Sequence, residues 1–337
     1  MVYASSYDGW EAFDAAQPFK VVRCPRAMML PTASVTRQAA LLVRTEQCDA
    51  VWFGASAPLG LMAPALRRAG AQRIVATTHG HEVGWAALPV ARQVLRRIGR
   101  SVDVVTYLGE YTRQRIAPAF GSGVRMEQLA PGVDTDAFRP DVPSMRAQLG
   151  LTDRPVVVCV SRLVARKGQD TLIRALPAIR RRVPDAALLL VGGGSYERTL
   201  RRLARGQGVG RDVVFTGSVP WQQLPAYYNA GDVFAMPCRT RYAGMDVEGL
   251  GVVFLEAAAS GLPVVAGDSG GAVDAVRDGE TGVVVDGRAD DAVASAVGEL
   301  LSDDVRAKAM GAAGRAWVEE RWQWDALAAK LQRLLLG

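Results

Sequence analysis

Two carboxylates eight residues apart bracket a glycine-rich stretch, Glu248-Gly249-Leu250-Gly251-Val252-Val253-Phe254-Leu255-Glu256. Eight residues are about 800° of helical turn, so both acids share a side if the whole segment is helical. The residue types favour another arrangement, with Glu248 on a loop and Glu256 on the helix that follows. Glycines at such a helix entry let backbone N–H groups approach a ligand closely. The carboxylates can then accept hydrogen bonds from sugar hydroxyls. Two solvated glutamates are the plain alternative, and the apolar run before Glu256 argues against it there.

A cationic loop complements the acids. Ser161-Arg162-Leu163-Val164-Ala165-Arg166-Lys167-Gly168 follows a β-branched run and precedes a helical one. Arg162 and Lys167 therefore sit at a strand's carboxyl end, ahead of a helix N-terminus, which suits an anionic group such as a diphosphate. Basic surface loops are common, so this patch carries weight only in combination. His79 and His81 are the only histidines. With only Glu82 near them, they are too few for a metal centre. A core role is the plain reading for one of them. Asp246 and Glu248 form an acidic pair, but one such pair is weak evidence for a metal. The segment 90–100 carries Arg92, Arg96, Arg97 and Arg100 among Val90, Val94, Leu95 and Ile98. That pattern is a basic amphipathic helix, suited to a membrane surface or simply to a solvated face.

The elements that must hold these residues alternate. In the second half, 155–161, 186–191, 212–216, 232–236, 263–266 and 282–285 read as strands. Helical spacing lies at 168–183, 196–205, 222–230 and 252–260. In the first half, 19–23, 50–53, 73–77, 102–107 and 126–129 read as strands, with helices at 35–45, 59–69 and 90–100. Strand alternating with helix predicts a parallel, doubly wound α/β sheet, here twice over. Ligands in such folds sit beyond the carboxyl ends of the strands, so a cleft between two such edges is the default active site. The polar segment 131–155 is the expected connection, and 290–301, 305–320 and 324–336 form a helical C-terminus. Trp317, Trp322 and Trp324 there suit packing better than a cofactor.

Composition excludes several classes. The 337 residues are 49% hydrophobic and 22% charged, ordinary for a globular chain. The longest mostly apolar uncharged run, 50–66, contains two glycines and two prolines and is too short to span a bilayer. The opening MVYASSYDGW has no secretory pattern. Cys24, Cys48, Cys159 and Cys238 are far apart, which argues against metal or disulfide use and favours a reducing cytoplasm. The net charge of +6 is uneven, with 17 basic against 12 acidic residues in 1–150 and 23 against 22 afterwards. Such an excess suits an anionic partner such as phospholipid, nucleic acid or phosphorylated substrate, or a merely soluble basic protein.

Together these residues carry a resemblance. SRLVARKGQD, the Gly192-Gly193-Gly194 turn, DVFAMP, the Glu248–Glu256 block and GLPVVAGDSGGAVDAVRDGETG resemble the retaining glycosyltransferases of family 4, which have the GT-B fold. MLPTASVTRQAA, VWFGASAPLGLMAP, ATTHGHEVGW, PGVDTDAFRP and CRTRYAGMDVEGLG are similar to the branch of phosphatidyl-myo-inositol mannoside synthesis that adds the second mannose, from GDP-mannose to inositol's 6-position.

The resemblance implies two Rossmann-like domains facing across a cleft. Residues 1–140 would be the acceptor side, 141–322 would bind nucleotide sugar, and 323–337 would be a helix returning to the first domain. Arg162 and Lys167 would bind the donor diphosphate, and Glu256 the ribose. Glu248 with the backbone of Gly249, Leu250, Gly251 and Val252 would hold the donor sugar. His79 would lie against the transferred sugar, and His81 would be structural or acceptor-side. Arg92, Arg96, Arg97 and Arg100 would face the acceptor and an anionic membrane. The partners implied are GDP-mannose, a phosphatidylinositol mannoside lipid and a membrane, with no nucleic acid, no cofactor and no required metal. The implied location is cytoplasmic, peripheral on the inner face of the plasma membrane.

The alternatives are another family 4 hexosyltransferase, an inactive nucleotide-sugar-binding remnant and, less well matched, a Rossmann oxidoreductase. Met1–Ser5 matches the family's second strand. A preceding strand, Gly-rich loop and helix of roughly 35 residues are therefore expected upstream, in a sheet position that is central. A chain starting at Met1 is expected to be poorly stable and weakly active.

Overall fold

The computed structural model describes residues 1–337. In chain order the first elements are β1 (Val2–Ser5), α1 (Trp10–Ala15), β2 (Val21–Cys24), α2 (Ala33–Thr45), β3 (Ala50–Phe53), α3 (Ala63–Ala69), β4 (Arg73–Thr77), α4 (Glu82–Ala87), α5 (Pro89–Gly99), β5 (Val104–Tyr107), α6 (Glu110–Phe120) and β6 (Arg125–Gln128). They continue as β7 (Val156–Val160), α7 (Gln169–Arg182), β8 (Ala187–Val191), α8 (Glu197–Gly206), β9 (Val213–Phe215), α9 (Leu224–Tyr228), β10 (Val233–Met236), α10 (Val252–Ala259), β11 (Val264–Gly267), β12 (Gly282–Val285), α11 (Asp290–Ser302), α12 (Asp304–Arg321) and α13 (Trp324–Leu336). The chain forms two compact units. The first comprises residues 1–107, 113–129 and 330–337, and the second residues 108–112 and 130–329.

The second unit is a six-stranded sheet in the order β12-β11-β10-β7-β8-β9, parallel throughout. Its inner strands are buried on both faces, which is why they read as unbroken apolar runs rather than as alternation. Every residue of β7, β8, β10 and β11 is buried. An aromatic chain runs from the half-exposed Trp221 into the core. Trp221, Phe138, Tyr228, Phe234 and Phe254 follow one another with ring centroids 5.6–5.8 Å apart, mostly edge to face. Phe138 comes from the segment expected to be a connection. That segment is packed, with Phe138 and Leu151 both 1% exposed, because its few apolar side chains bury without any helical or strand period to announce them.

The first unit holds a four-stranded parallel sheet, β3-β4-β5-β6, and a separate parallel pair, β1-β2. Arg23 ties the pair to α1. Its guanidinium bonds both carboxylate oxygens of Asp14 at 3.0 and 2.5 Å, donates to the Ser5 carbonyl at 2.7 Å, and lies 5.3 Å from the Tyr7 ring centroid. A cavity of about 180 Å³ lies between the two sheets, lined by Tyr3 from β1, Trp52 and Phe53 from β3, and Ala39 and Leu42 from α2. Leu334 of α13 packs on Val75 and Val104, and its carbonyl accepts from Arg73 Nε at 2.9 Å.

Three helices had no counterpart in the sequence reading. α1 and α4 are six residues each, too short to show a period. α6 contains Pro118 and lacks a clear apolar stripe. The expected strand at 19–23 is observed at Val21–Cys24, and the expected helix at 222–230 is a short 3-10 turn followed by α9. No helix is long and apolar enough to cross a membrane.

Candidate functional site

In the second unit β7 has β8 on one side and β10 on the other, so the winding reverses between β7 and β10. The carboxyl ends of strands at such a point form a crevice for ligands. The loops after β7, β10 and β11 bring the cationic loop and the Glu248 block together there.

Lys167 and Glu248, 81 residues apart in sequence, are in direct contact. Lys167 Nζ donates to Glu248 Oε2 at 2.6 Å, and Arg166 Nη1 donates to the same oxygen at 2.8 Å. Lys167 is 8% exposed and Glu248 6%. A buried charge needs a partner, and here each supplies the other's. Both cations take Oε2, which leaves Oε1 to accept from a ligand. Arg166 also reaches Asp246 at 3.3 Å. Thus the acidic pair Asp246 and Glu248 serves the arginine and lysine, and no three or more His, Cys, Asp or Glu side chains converge to hold a metal. Arg162, in contrast, is exposed at the rim of the crevice.

The loop is aimed by its neighbours. Gly168 follows Lys167 with φ 78°, and a Cβ there would lie 1.9 Å from the Pro237 carbonyl oxygen. Only glycine permits both the left-handed turn and that approach. Arg239, just beyond β10, clamps the same turn. Its side chain bonds both oxygens of Asp170 at 2.9 and 2.8 Å, and its backbone N–H donates to the Arg166 carbonyl at 2.8 Å. Gln169 is fully buried and donates to Ser161 Oγ at 2.8 Å and to the Arg162 carbonyl at 3.0 Å. Under the Glu248 block lies Asp268–Gly271, the turn after β11. The Gly271 N–H donates to the Glu248 carbonyl at 2.8 Å.

Glu248 is on the loop and Glu256 is on α10, the arrangement the residue types favoured. Gly249 and Leu250 complete the loop, Gly251 caps α10, and Val252 opens it. Glu256 accepts a 2.6 Å hydrogen bond from the Tyr228 hydroxyl. Burial raises the Glu256 carboxyl above its ordinary pKa, and the Tyr228 bond opposes part of that rise. Burial and the facing Glu256 charge push the Tyr228 phenol well up, so it stays a donor. Desolvation also pushes the Cys159 and Cys238 thiols up to about 12, which removes them as nucleophiles at neutral pH.

In the first unit, β4 ends in a polar knot. Trp52 Nε1 donates to Thr77 Oγ1 at 2.8 Å, and Thr106 Oγ1 donates to the same oxygen at 3.0 Å. The next residues turn on Glu82, whose carboxylate is fully buried. It accepts from Ser56 Oγ at 2.9 Å and from the His79 backbone N–H at 3.0 Å. Glu82 thus anchors the loop that presents the exposed His79 ring. His79 Nε2 bonds the Gly54 carbonyl, which can only accept, so Nε2 carries a proton and Nδ1 is left outside that bond. His81 is exposed, with Nε2 3.4 Å from Glu82 Oε1.

α5 buries Leu95, Ile98 and Gly99 and exposes Arg92, Arg96 and Arg97, and Arg100, just past its end, is exposed as well. Val90, expected with the apolar residues, is 81% exposed in the helix's first turn.

Arg166, Asp246, Arg239–Asp170, the Gly270-Gly271 turn, Tyr228 and the anchoring by Glu82 were not singled out as site residues from the sequence. Arg166 had a signal, as the neighbour of Lys167 in a basic loop. The others depend on contacts between distant loops.

Comparison with solved structures defines the class. The sucrose-phosphate synthase of Thermosynechococcus elongatus superposes with a TM-score of 0.76 at 25% identity, over 93% of this chain and 82% of that one. HepE of Anabaena, solved with UDP-glucose, superposes at 0.82 with 20% identity over 99% and 91%, a likeness of fold alone. Two parallel-sheet Rossmann-like units of this kind are the GT-B glycosyltransferase architecture. The family model for glycosyltransferase family 4 matches residues 1–137, and that for glycosyl transferases group 1 matches residues 141–317. The chain is 57% identical, over all of its length and 90% of the relative's, to the GDP-mannose-dependent alpha-(1-6)-phosphatidylinositol monomannoside mannosyltransferase of Mycolicibacterium smegmatis. It is 59% identical to the protein of the same name from Mycobacterium tuberculosis, over 100% and 89%. A Corynebacterium glutamicum relative, named for a monoacylated acceptor, is 48% identical over 99% and 89%. The chain belongs to the glycosyl transferases group 1 family, with a family 4 N-terminal half.

Proposed function

We propose that this chain is a retaining mannosyltransferase that moves α-mannose from GDP-mannose to phosphatidyl-myo-inositol monomannoside. The observation that carries the reading is identity of 57–59% along the whole chain to two enzymes named for that donor and acceptor. Residues 1–140 are assigned to the acceptor, 141–322 to the donor, and 323–337 to a helix returning to the first domain. A lipid acceptor brings the enzyme to the inner face of the plasma membrane as a peripheral protein, and the exposed arginines of α5 suit an anionic surface.

The chemistry asked of the residues is electrostatic. The bond between mannose C1 and the β-phosphate oxygen breaks, and the acceptor hydroxyl bonds C1 on the same face. The hydroxyl proton passes to the departing phosphate oxygen. Charge therefore grows on the diphosphate while C1 takes oxocarbenium character. Arg162 and Lys167 stabilise the diphosphate, Lys167 being already desolvated and held by Glu248. Glu248 Oε1 and the N–H groups at 249–252 hold the sugar, and Glu256 accepts from the ribose hydroxyls. His79 orients the transferred mannose through its free ring nitrogen, and His81 stands on the acceptor side. Retention by two carboxylates needs them about 5–5.5 Å apart around the sugar, with one as nucleophile. Glu248 is already engaged by two cations, which favours the front-face route.

The test is a transfer assay with a panel of nucleotide sugars against phosphatidylinositol, its monomannoside and soluble inositol acceptors. The expected product is an α-linked second mannose, formed from GDP-mannose only when the monomannoside is present. Preference for another donor, for a soluble acceptor, or for a β-linked product would overturn the reading.

A further inference from the structure

Between β10 and the Glu248 block the chain makes a tight hairpin. Arg241 and Asp246 exchange backbone hydrogen bonds at 2.9 and 3.2 Å and close a tip of four residues, 242–245. Tyr242, Ala243 and Gly244 all have positive φ, at 50°, 51° and 94°. Gln47 is the one other non-glycine residue of the chain with positive φ. A bulky side chain rarely stands there, because its Cβ crowds the following carbonyl. Two such residues in succession persist only where the surroundings hold them, and strain of this kind gathers at ligand clamps.

The strained turn displays an aromatic ring. Tyr242 is 63% exposed, and Ala243 and Met245 beside it are exposed as well. One face of the ring carries the Arg241 guanidinium, whose carbon lies 4.7 Å from the ring centroid and whose Nη2 donates to the Tyr242 hydroxyl at 3.1 Å. That contact fixes the ring and leaves its other face to solvent. The hairpin is itself pinned to the donor site. Asp246, at its base, lies 3.3 Å from Arg166 Nε, while Nη1 of the same guanidinium holds Glu248. The ring therefore belongs to the end of the site that takes the sugar and the diphosphate. Glu256, assigned to ribose, lies more than a turn into α10. In front-face transfer the acceptor hydroxyl bonds C1 beside the departing phosphate oxygen. The acceptor then approaches on the side of the cation loop, where Arg166 pins the hairpin. A pyranose offers a tyrosine a fitting partner, since its axial C–H groups make one face apolar and slightly positive against the negative face of the phenol ring.

We propose that Tyr242 binds the acceptor by stacking on its pyranose ring, the mannose of the monomannoside, so that the second unit supplies an acceptor contact of its own. The choice of acceptor sugar over donor sugar rests on the mannosyl-transfer reading and its front-face route.

The test compares Tyr242→Ala and Tyr242→Phe with the parent, all as the full chain. Transfer from GDP-mannose to phosphatidylinositol monomannoside is followed at steady state, and GDP binding by calorimetry. The side chain is exposed, so both variants are expected to melt with the parent. Tyr242→Ala is expected to raise the acceptor KM about tenfold, the upper end of what an aromatic stack contributes, with kcat within threefold and the Kd for GDP within twofold. Tyr242→Phe keeps the ring face and is expected to stay within twofold throughout. An unchanged acceptor KM in Tyr242→Ala, or an equal rise in its Kd for GDP, would overturn the proposal. So would a loss in Tyr242→Phe as large as in Tyr242→Ala, which would pass the role to the hydroxyl. A second arm needs no turnover. Methyl α-mannopyranoside is added to the GDP-loaded protein, the aromatic protons are saturated, and transfer to the sugar's ring protons is read by NMR. The signal is expected in the parent and in Tyr242→Phe and is expected to be lost in Tyr242→Ala. Equal signals in the parent and Tyr242→Ala, absence from both included, overturn the stacking site. If the parent does not mannosylate the monomannoside but shows the signal, and Tyr242→Ala loses it, the transfer reading fails and the stacking site stands.

Discussion

Gly271→Ala isolates the support beneath the Glu248 loop. A Cβ on Gly271 would stand 2.1 Å from the Gly249 carbonyl oxygen, 2.9 Å from its carbon and 3.2 Å from Leu250 Cα. Carbon meets a carbonyl oxygen at about 3.3 Å, so the overlap is roughly 1 Å. All three obstacles are main chain, so no side chain can rotate away. Gly271 is not among the residues of positive φ, so alanine is not strained there for any other reason. Either the Asp268–Gly271 turn or the 248–251 loop must move by about the overlap.

Overpacking against backbone belongs at the upper end of its usual range, about 3 kcal/mol. For a unit of some 200 residues that lowers the melting temperature by roughly 6–12 °C. A 1 Å displacement of groups that position a reacting sugar costs about a hundredfold in rate. The assay is thermal melting together with kcat/KM for GDP-mannose, measured well below both melting transitions so that only folded enzyme is compared. Gly206→Ala is the matched control. Gly206 ends α8, and nothing lies within 4 Å of a Cβ there. It is expected to leave the melt unchanged or raise it slightly. If Gly271→Ala melts and turns over within threefold of the parent, the turn after β11 does not support the donor loop.

Arg162→Gln and Lys167→Gln should separate cleanly. Arg162 is exposed, so its loss should leave stability within about 0.5 kcal/mol and weaken GDP binding about tenfold by calorimetry. Removing Lys167 strips a buried carboxylate of one of its two cations and should cost about 3 kcal/mol by denaturant titration as well. Glu256→Gln has a signed pH dependence. Burial raises the folded pKa above the unfolded value of about 4.3, so the group's contribution to stability is fully present below that value. It is lost as pH rises through the folded pKa. The melting temperature of Glu256→Gln relative to the parent should therefore climb with pH across that window, and a flat difference would contradict it. Tyr228→Phe removes the 2.6 Å bond to Glu256. Loss of a hydrogen bond to a charged group should cost about 1.5–3 kcal/mol where Glu256 is ionised and less once it is protonated, read by melting on either side of that transition.

The parallel sheet of the second unit was legible because its strands are buried on both faces and so read as unbroken runs, as in the all-buried Val156–Val160 and Ala187–Val191. The placing of Glu248 on a loop and Glu256 on a helix was legible from glycine spacing. The 131–155 segment was not, since Phe138 and Leu151 bury without periodicity. Nor were α1, α4 and α6, which are too short or too polar for an amphipathic signal. Val90 was misplaced because a helical period says which residues share a face but not where the helix meets its neighbours.

The sequence by itself determined the chemical inventory: cations on one loop, carboxylates around glycines on another, two histidines after a strand, and an arginine-rich helix. Those are properties of residue type and local spacing, and local spacing is what sets strands, turns and caps. Only the tertiary structure decided which charges meet. Lys167 and Arg166 share Glu248 across 81 and 82 residues, Arg239 grips Asp170 across 69, and Tyr228 bonds Glu256 across 28. Such pairings follow from the order in which parallel strands lie side by side. That order is fixed by the burial of the whole sheet, and no stretch of the chain carries it alone.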